Sequence, residues 1–249
     1  MQPALATAGF SRAEDFLAMP DSPHAGSTTV RRITISNGPT PQSFHLKVYR
    51  RHDNVALLLR RDKASIEVLN YEHLRRCGVN VPDVICHGYR NGLFGPRESF
   101  IITREVSGAV PLDEYVDANW PTRPIRFDRR RRQLLLATAR LVQTMHAGNF
   151  FHIDLQWRNI LVAEREGGWR LCVIDSSRGR FSPYGLFREH GRLRDLSSFA
   201  KQAIERTSQT EQLRWLCACF NVRRLTPQIR CLFDAISRDR HSKDNSHRR

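Results

Sequence analysis

Three oxygen-bearing side chains stand in one short stretch of the chain, and their order is the first indication of chemistry. Within residues 151–177, FHIDLQWRNILVAEREGGWRLCVIDSS, Asp154 is followed five positions later by Asn159, and Asp175 ends the second of two short apolar runs joined by Gly-Gly. A carboxylate can accept the proton of an attacking hydroxyl, while an amide oxygen and a second carboxylate can hold Mg²⁺ against nucleotide phosphates. The spacing therefore predicts phosphoryl transfer, with Asp154 as the catalytic base and the other two residues as metal ligands.

Each of the three residues also has a plainer structural interpretation. Asp154 alone would be a turn cap after the preceding helix, Asn159 a turn residue, and Asp175 the cap of a strand end. The chemical interpretation is favoured because a single stretch satisfies the whole spacing. Two histidines, His146 and His152, are expected to support the loop through packing and hydrogen bonds rather than to act as general bases.

A lysine in the middle of a predicted strand is the candidate for contacting nucleotide phosphates. Lys47 lies on the strand face opposite an apolar stripe, because successive side chains of a strand point to opposite sides. A cation there needs a carboxylate from a neighbouring helix, and the helix predicted over 63–77 offers Glu67 and Glu72. We expect Glu67 to be the partner, with Glu72 on a different helix face as the rival. Either glutamate could instead be a solvated helix residue.

A glycine-rich phosphate loop is nearly absent from the sequence. Gly38 is the only candidate between the first two predicted strands, and no Gly-x-x-x-x-Gly-Lys-Ser/Thr motif occurs. The sequence therefore argues against a P-loop nucleotide-binding fold.

The elements that must position these residues come with strands first and helices second. Alternating apolar and polar residues predict strands over 28–36, 44–50, 81–88 and 99–103. Helical periodicity predicts helices over 63–77, 128–147 and 192–205, followed by two short helices, the second capped by Thr226-Pro227.

This order indicates an α+β fold made of two lobes. The expected organisation has four parts: a flexible segment over 1–27, a β-rich N-lobe with one helix over 28–105, a helical C-lobe with the catalytic loop over 106–238, and a disordered basic tail over 239–249.

The charge balance of the chain points to an anionic partner. The net charge is +15 and the pI is near 10.5, which suits nucleic acid, a membrane face or an acidic small substrate. Nucleic acid is the least favoured of these, because neither basic strands interleaved with aromatics nor zinc-ligand spacing accompanies the charge.

Cysteine usage and hydropathy predict a cytoplasmic protein. The six cysteines form no Cys-x-x-Cys pair and are expected to be reduced, buried side chains without zinc or disulfide roles. No apolar run is long enough to span a bilayer, and the N-terminal residues do not resemble a signal peptide. We expect any contact with the inner membrane to be peripheral, and the sequence does not indicate an oligomeric state.

Two groups of arginines are candidates for binding anions. Arg129–Arg132 stand at the start of a predicted helix, where positive charge opposes the helix dipole at a cost of a few tenths to about 1 kcal/mol. That cost suggests a use such as binding an anionic substrate or lipid headgroups, although a solvated basic face explains the run equally well. Arg178 and Arg180, just after Asp175, are better placed to hold an anionic acceptor.

Five segments resemble the protein-kinase-like superfamily and, within it, the lipopolysaccharide kinase family of bacterial enzymes that phosphorylate Kdo or heptose of the inner core. The similarity covers roughly residues 28–205, and its segments are FHLKVYR with Lys47, SIEVLNYEHLRRCGVNVP with Glu67, HIDLQWRNILV, VIDSSRGR, and RLRDLSSFAKQA with Asp195.

The resemblance implies a two-lobed protein-kinase-like fold and an ATP- and Mg²⁺-dependent kinase of a sugar hydroxyl. It assigns Asp154 as the catalytic base, Asn159 and Asp175 as Mg²⁺ ligands, and Asp195 as the residue that braces the catalytic loop. One departure from the family pattern is that Asp175 is followed by Ser-Ser rather than Phe-Gly.

The resemblance also implies how the nucleotide is held. Lys47 and Glu67 would form the ion pair that orients the phosphates. Adenine binding is implied near Thr103–Val106, with Glu105 and Val106 as the cofactor-binding residues.

The length of one segment bears on the acceptor. Only nineteen residues separate Asp175 from Asp195, which leaves little room for an activation segment and a peptide-binding loop. A small or carbohydrate acceptor therefore fits better than a peptide, and the arginine excess suits an anionic sugar or glycolipid.

The alternatives are a kinase for another small molecule or a protein, and an inactive kinase-like binding module. The inactive module predicts the loss of Lys47, Asp154 or Asp175, and all three are present.

Overall fold

The computed structural model describes residues 28–35, 41–50, 62–92, 95–120 and 128–246, without the side chains of 92, 95–97, 186 and 237–246. The predicted flexible segment 1–27 and Gly38 lie outside these ranges.

The chain divides into two compact units. The first holds the described residues of Met1–Glu72 and Pro82–Ser107, and the second holds those of His73–Val81 and Gly108–Arg249. The last turn of one helix and the bend after it, His73–Val81, belong to the second unit, and the chain enters that unit again at Gly108.

The first unit is built on an antiparallel sheet of four strands in the order β1-β2-β4-β3. Its strands are β1 (Thr28–Ile35), β2 (Gln42–Arg50), β3 (Val84–Gly92) and β4 (Gly95–Arg104). Alternate residues of β2 enter the core, where Phe44, Leu46 and Val48 pack with Phe100 and Ile102 of β4. The intervening residues, Lys47 among them, therefore lie on the opposite face of the sheet.

Helix α1 (Lys63–Arg76) begins and ends with local hydrogen bonds that its sequence provides. The Asp62 carboxylate accepts a hydrogen bond from the Ser65 N–H at 2.8 Å, which satisfies a donor at the helix start. At the other end Gly78 has a φ of 82°, and the Val79 N–H donates to the Leu74 carbonyl at 3.0 Å. Glycine adopts this left-handed conformation without a Cβ clash, so the helix stops where the sequence predicts.

The second unit is mostly helical and also carries short strands. Its elements are β5 (Ala109–Pro111), α2 (Leu112–Asn119), α3 (Arg129–Ala147), β6 (Phe150–Phe151), β7 (Ile160–Arg165), β8 (Gly168–Val173), β9 (Arg180–Phe181), α4 (Gly185–Arg206), α5 (Gln209–Cys219) and α6 (Pro227–Ser246). The strands form a three-stranded sheet, β5-β7-β8, and a two-stranded sheet, β6-β9. In the described part of the chain, none of the helices has the length and hydropathy needed to cross a bilayer.

Two expectations need correction. Helix α6 continues to Ser246, so the tail predicted to be disordered from residue 239 is helical up to that point. The spacing of Asp239 and Lys243, four residues apart with the acid first, supports a helix there. The cysteines are unpaired but not uniformly buried, because Cys231 on the same helix is exposed.

The start of α3 shows what one member of the arginine run does. The Asp128 carboxylate caps the helix by accepting from the Arg131 N–H at 2.8 Å, and that bond is the main reason why the pKa of Asp128 is lowered. The Arg131 side chain is 2% exposed, donates to Glu211 at 2.9 Å and to the Arg206 carbonyl, and lies over the Trp120 ring. Arg131 therefore joins α3 to the ends of α4 and α5.

Replacing Arg131 tests this structural role. We expect Arg131→Ala to lower the free energy of unfolding by about 3 kcal/mol, because a buried ion pair that loses one partner leaves an uncompensated charge. Arg129→Ala is the matched control from the same run, since Arg129 is exposed and its loss should change stability by less than about 0.5 kcal/mol. Urea denaturation of both variants checks this, and equal effects would contradict the assignment.

Candidate active site

The 152–159 loop, which joins β6 to β7, carries the first two predicted site residues. Ile153 has a φ of 67°, in the left-handed region that a β-branched residue rarely adopts. Such a conformation costs on the order of 1–3 kcal/mol and persists only when surrounding contacts hold it. The contacts that do so here come from one buried carboxylate.

Asp195 on α4 is that carboxylate, and it is fully buried. Its Oδ1 accepts from the Ile153 N–H at 2.6 Å, and its Oδ2 accepts from the His152 N–H at 3.0 Å. The Nε2 of His146 also lies 3.0 Å from Oδ2. The loop-bracing role implied for Asp195 thus has a geometric basis, and His146 supports the loop as predicted.

The rest of α4 continues the same contact with the loop. Phe199 packs on the Trp157 ring with centroids 5.3 Å apart, and the Gln202 side chain accepts from the Trp157 N–H at 2.6 Å. Arg206 lies over that ring at 5.9 Å. Residues 195, 199, 202 and 206 recur at helical spacing, so one face of α4 holds the 152–159 loop from end to end.

Asp154 is held beside the groups that flank it in the loop and in the turn after β8. Its Oδ1 accepts from Gln156 Nε2 at 2.7 Å, and its Oδ2 lies 4.0 Å from an Arg178 guanidinium nitrogen. The Asp154 side chain is 23% exposed and that of Arg178 is 68% exposed, so both are open to a ligand. Of the two arginines predicted to hold an anionic acceptor, Arg178 is therefore the one beside Asp154, while Arg180 is exposed on β9.

Asn159 and Asp175 are brought together by the β7–β8 hairpin. Ile160 pairs with Val173 at its base, and the Ile174 N–H donates to the Asn159 carbonyl at 3.0 Å. The Asn159 amide nitrogen donates to the Asp154 carbonyl at 2.9 Å, which leaves the amide oxygen as the end available to a cation. The hairpin thus connects the Asp154 loop to the residue that precedes Asp175.

Asp175 has a left-handed backbone conformation. Its φ is 55°, and its carboxylate accepts from the Ser177 hydroxyl at 3.3 Å. The His152 Nε2 donates to the Ile174 carbonyl at 2.9 Å, so His152 ties the loop to this turn, in agreement with its predicted structural role. A carboxylate and an amide oxygen are hard donors of the kind that Mg²⁺ prefers, and phosphate and water oxygens would complete the six positions around the ion.

In the first unit, Lys47 of β2 pairs with Glu67 of α1. The Lys47 Nζ lies 3.4 Å from both carboxylate oxygens, and the Glu67 side chain is 2% exposed. Glu67 also accepts from the Tyr71 hydroxyl at 2.7 Å and from the Tyr49 hydroxyl. Of the two glutamates considered from the sequence, Glu67 is therefore the partner of Lys47, and Glu72 is exposed.

Glu105 and Val106 follow β4 directly. The Glu105 N–H donates to the Ser43 carbonyl at 2.9 Å, which extends the pairing of β2 and β4 by one bond. The Glu105 carboxylate accepts from Arg32 at 2.8 Å, and this bond is the main cause of its lowered pKa. The N–H and the carboxylate of Glu105 are therefore both engaged within the first unit.

Several residues that complete these sites were not predicted from the sequence. Tyr49 follows Lys47 by two positions on the same strand face, and Tyr71 follows Glu67 by four positions on the same helix face. Both spacings could have identified them as partners of the ion pair. Gln202 carried no comparable signal, because its contact depends on the loop and α4 meeting in the folded chain. Gln156 contacts Asp154 within the loop itself, whose irregular backbone has no periodicity that would reveal the pair.

The chain is similar to known proteins over most of its length. Residues 41–216 match the model of the lipopolysaccharide kinase (Kdo/WaaP) family. Among solved structures, WaaP in complex with acyl carrier protein is similar with a TM-score of 0.72 and 22% identity, over 97% of this chain and 96% of that one. The Cydia pomonella granulovirus kinase PK-1 matches with a TM-score of 0.45 and 19% identity, over 71% and 60% of the two chains. No match is found among curated proteins.

The likeness to the first solved structure confirms the predicted α+β, protein-kinase-like fold. It extends over nearly the whole chain.

The Asp195 contacts lead to a stability prediction. Asp195→Asn keeps the side-chain shape but replaces one acceptor oxygen with an amide donor that faces backbone N–H groups. We therefore expect the free energy of unfolding to fall by about 3 kcal/mol. Asp117→Asn is the control, because Asp117 is 53% exposed and its pair with Arg206 is a surface contact worth at most about 1 kcal/mol. Urea denaturation, with hydrogen exchange at residues 152–153, distinguishes the two. Unchanged exchange in Asp195→Asn would show that the loop is held by other contacts.

Proposed function

This chain belongs to the lipopolysaccharide kinase (Kdo/WaaP) family, and from that premise we propose that it transfers the γ-phosphate of ATP to a hydroxyl of Kdo or heptose in the inner core. The family defines the chain as a phosphotransferase of lipopolysaccharide core sugars, with an alcohol group as acceptor and ATP as donor. The observation that carries the proposal for this chain is the joint positioning of Asp154, Asn159 and Asp175 by one loop and one hairpin.

Asp154 is proposed as the catalytic base. Its carboxylate is partly exposed and is oriented by Gln156, so it can accept a hydrogen bond from an acceptor hydroxyl. As the hydroxyl oxygen attacks the γ-phosphorus and the bond to ADP breaks, the hydroxyl proton passes to the carboxylate. The rigid backbone of the 152–159 loop then contributes positioning, which accounts for a large share of catalysis in phosphoryl transfer.

Asn159 and Asp175 are proposed to hold Mg²⁺. A bound Mg²⁺ would neutralise charge on the β- and γ-phosphate oxygens. The described residues contain no cluster of three His, Cys, Asp or Glu side chains suited to a metal ion. A pair of protein oxygens matches a site whose remaining ligands come from nucleotide and water.

Lys47 is proposed to bind ATP phosphates, with its ammonium held by Glu67, whose carboxylate is held in turn by two tyrosine hydroxyls. A lysine fixed in this way keeps its ammonium in one position and loses less conformational entropy on binding. Adenine is proposed to bind at the backbone of Glu105 and Val106.

The acceptor is proposed to be anionic, as an inner-core sugar or glycolipid is. Arg178 supports this, because its exposed guanidinium lies 4.0 Å from Asp154 Oδ2 and could bind a carboxylate or phosphate next to the reacting hydroxyl. The short connection after Asp175 supports a small or carbohydrate acceptor over a peptide, because helix α4 begins at Gly185, only ten residues later. We further propose a cytoplasmic enzyme that reaches the inner membrane peripherally. An acyl carrier protein is a second candidate partner, since the similar solved structure contains one.

The direct test is mass spectrometry of lipopolysaccharide cores from cells with and without the gene. We expect one phosphate to be missing from Kdo or heptose without it. Transfer of labelled phosphate by the purified protein to core glycolipid, to generic protein and to aminoglycosides separates the alternatives. Labelling of polypeptide alone would overturn the proposal, and labelling only of a soluble small molecule would favour another small-molecule kinase.

Changing Asp154 tests the catalytic base. We expect Asp154→Asn to reduce kcat by about 10²–10⁴-fold, since the amide cannot accept the hydroxyl proton, while ATP affinity stays near that of the wild type. Asp117→Asn serves as the matched control with unchanged kcat. An unchanged kcat in Asp154→Asn, measured with the same acceptor, would remove Asp154 from the catalytic role.

Changing Asp175 tests the metal site by a separate measurement. We expect Asp175→Asn to raise the Mg²⁺ concentration needed for half-maximal ATP binding by at least about tenfold, because a neutral amide attracts the cation less strongly than a carboxylate. Glu166→Gln, an exposed carboxylate at the tip of the same hairpin, is the control. Titration calorimetry of ATP at several Mg²⁺ concentrations measures this. Identical titrations for Asp175→Asn and wild type would place the ion elsewhere.

A further inference from the structure

Three large aromatic side chains lie exposed in the short segment that follows Asp175. Phe181 is 53% exposed, Tyr184 is 78% exposed and Phe187 is 67% exposed. They fall within seven consecutive residues, at the end of β9 and the start of α4. Exposed apolar groups concentrated in this way mark an interaction surface more often than scattered single residues do. We call these three residues, with Arg180 and Arg188, the aromatic–arginine patch.

The backbone under the patch is held in place by the second unit. Phe181 pairs with Phe150 in the β6–β9 sheet, and the Ser182 N–H donates to the Asn149 carbonyl at 2.8 Å. The Phe181 ring also lies 4.4 Å from the His73 ring. The aromatics are therefore presented on an ordered frame.

Of the patch residues, Phe187 lies on the side of α4 that faces the 152–159 loop. Positions 187, 191 and 195 share one helix face, since they are four residues apart. Gly191 contacts Phe151 so closely that a Cβ at Gly191 would overlap the ring, and Asp195 binds the loop backbone. Phe187 lies one helical turn before Gly191 on this face, and its side chain is exposed to solvent.

The charge around the patch is predominantly positive. Residues 178–194 contain five arginines and a single acidic residue, Glu189. Arg180 is exposed next to Phe181, and the Arg188 N–H donates to the Tyr184 carbonyl, so Arg188 stands one helical turn after Tyr184. Such a surface complements an anionic one.

We propose that the aromatic–arginine patch docks on a bilayer surface that carries anionic lipid headgroups. Tyrosine and phenylalanine side chains enter the boundary between headgroups and acyl chains, and arginines pair with anionic headgroups. The patch would bring Asp154 to the level of the headgroups. This inference rests on the proposed function, because a core sugar that is linked to a lipid lies at the level of the headgroups, where the catalytic base must reach it.

The test is co-sedimentation of the purified protein with vesicles of phosphatidylcholine, with and without phosphatidylglycerol, in the absence of nucleotide and acceptor. We expect binding only to the anionic vesicles and weakening with added salt. The double variant Tyr184→Ser and Phe187→Ser should reduce the partition coefficient at least about tenfold. Arg180→Ala and Arg188→Ala should each reduce it about fivefold.

Matched controls come from exposed residues elsewhere. Tyr89→Ser removes an aromatic that is 51% exposed in the first unit, and Arg170→Ala removes an exposed arginine on β8; both should bind vesicles like the wild type. A loss of binding equal to that of the patch variants would overturn the proposal. So would wild-type binding to soluble poly-glutamate but not to vesicles, which would indicate an acidic protein partner.

A further variant tests bilayer insertion directly, by a signal that does not depend on losing vesicle binding. In Phe187→Trp, bilayer insertion predicts that brominated lipids quench the added fluorescence, and a signal unaffected by them would overturn the proposal. Neither measurement uses ATP. The protein can therefore bind vesicles and still fail to phosphorylate a core sugar, or phosphorylate the sugar without binding vesicles, so the two proposals are tested separately.

Discussion

The constraint on which the candidate site depends is the burial of one charged carboxylate under the 152–159 loop. Asp195 is removed from water, and its charge is stabilised by the two backbone N–H groups of His152 and Ile153 and by the His146 imidazole. A buried carboxylate without such donors would be costly. The same bonds hold Ile153 in its left-handed conformation, so the position of Asp154 follows from satisfying a charge that lies behind it.

Among the described residues, the first unit buries the Glu67 carboxylate and the second buries that of Asp195, and the two are satisfied in different ways. Asp195 binds backbone groups and therefore fixes the shape of the chain. Glu67 binds side chains, those of Lys47, Tyr49 and Tyr71, and therefore fixes the position of a cation. The first arrangement orients groups proposed to act on the acceptor, and the second orients a group proposed to act on the donor. Both rely on donors already in place before any ligand arrives, which is the physical meaning of preorganisation here.

The sequence predicted the features that are local and periodic. Asn159 and Asp175 flank a hairpin of neighbouring strands, and Lys47 and Glu67 lie on faces that alternation and helical spacing reveal. It did not predict β6 and β9, because strands of two residues show no alternation. Arg131 could not be distinguished from its exposed neighbours, since only the folded chain brings Glu211 and the Arg206 carbonyl to it. The contacts of Gln202 with the loop were hidden for the same reason.

The β7–β8 hairpin has a consequence for how the length of this chain can vary. Its strands pair residue for residue from Ile160 and Val173 to Arg165 and Gly168, and a glycine with a φ of 80° turns the chain at the tip. Added residues beyond that tip would leave the base of the hairpin, and both proposed Mg²⁺ ligands, where they are. A single residue inserted within one strand would turn every following side chain to the other face and direct Asp175 away from Asn159. Natural variants of this protein should therefore differ in length at the turn and keep the strand lengths constant.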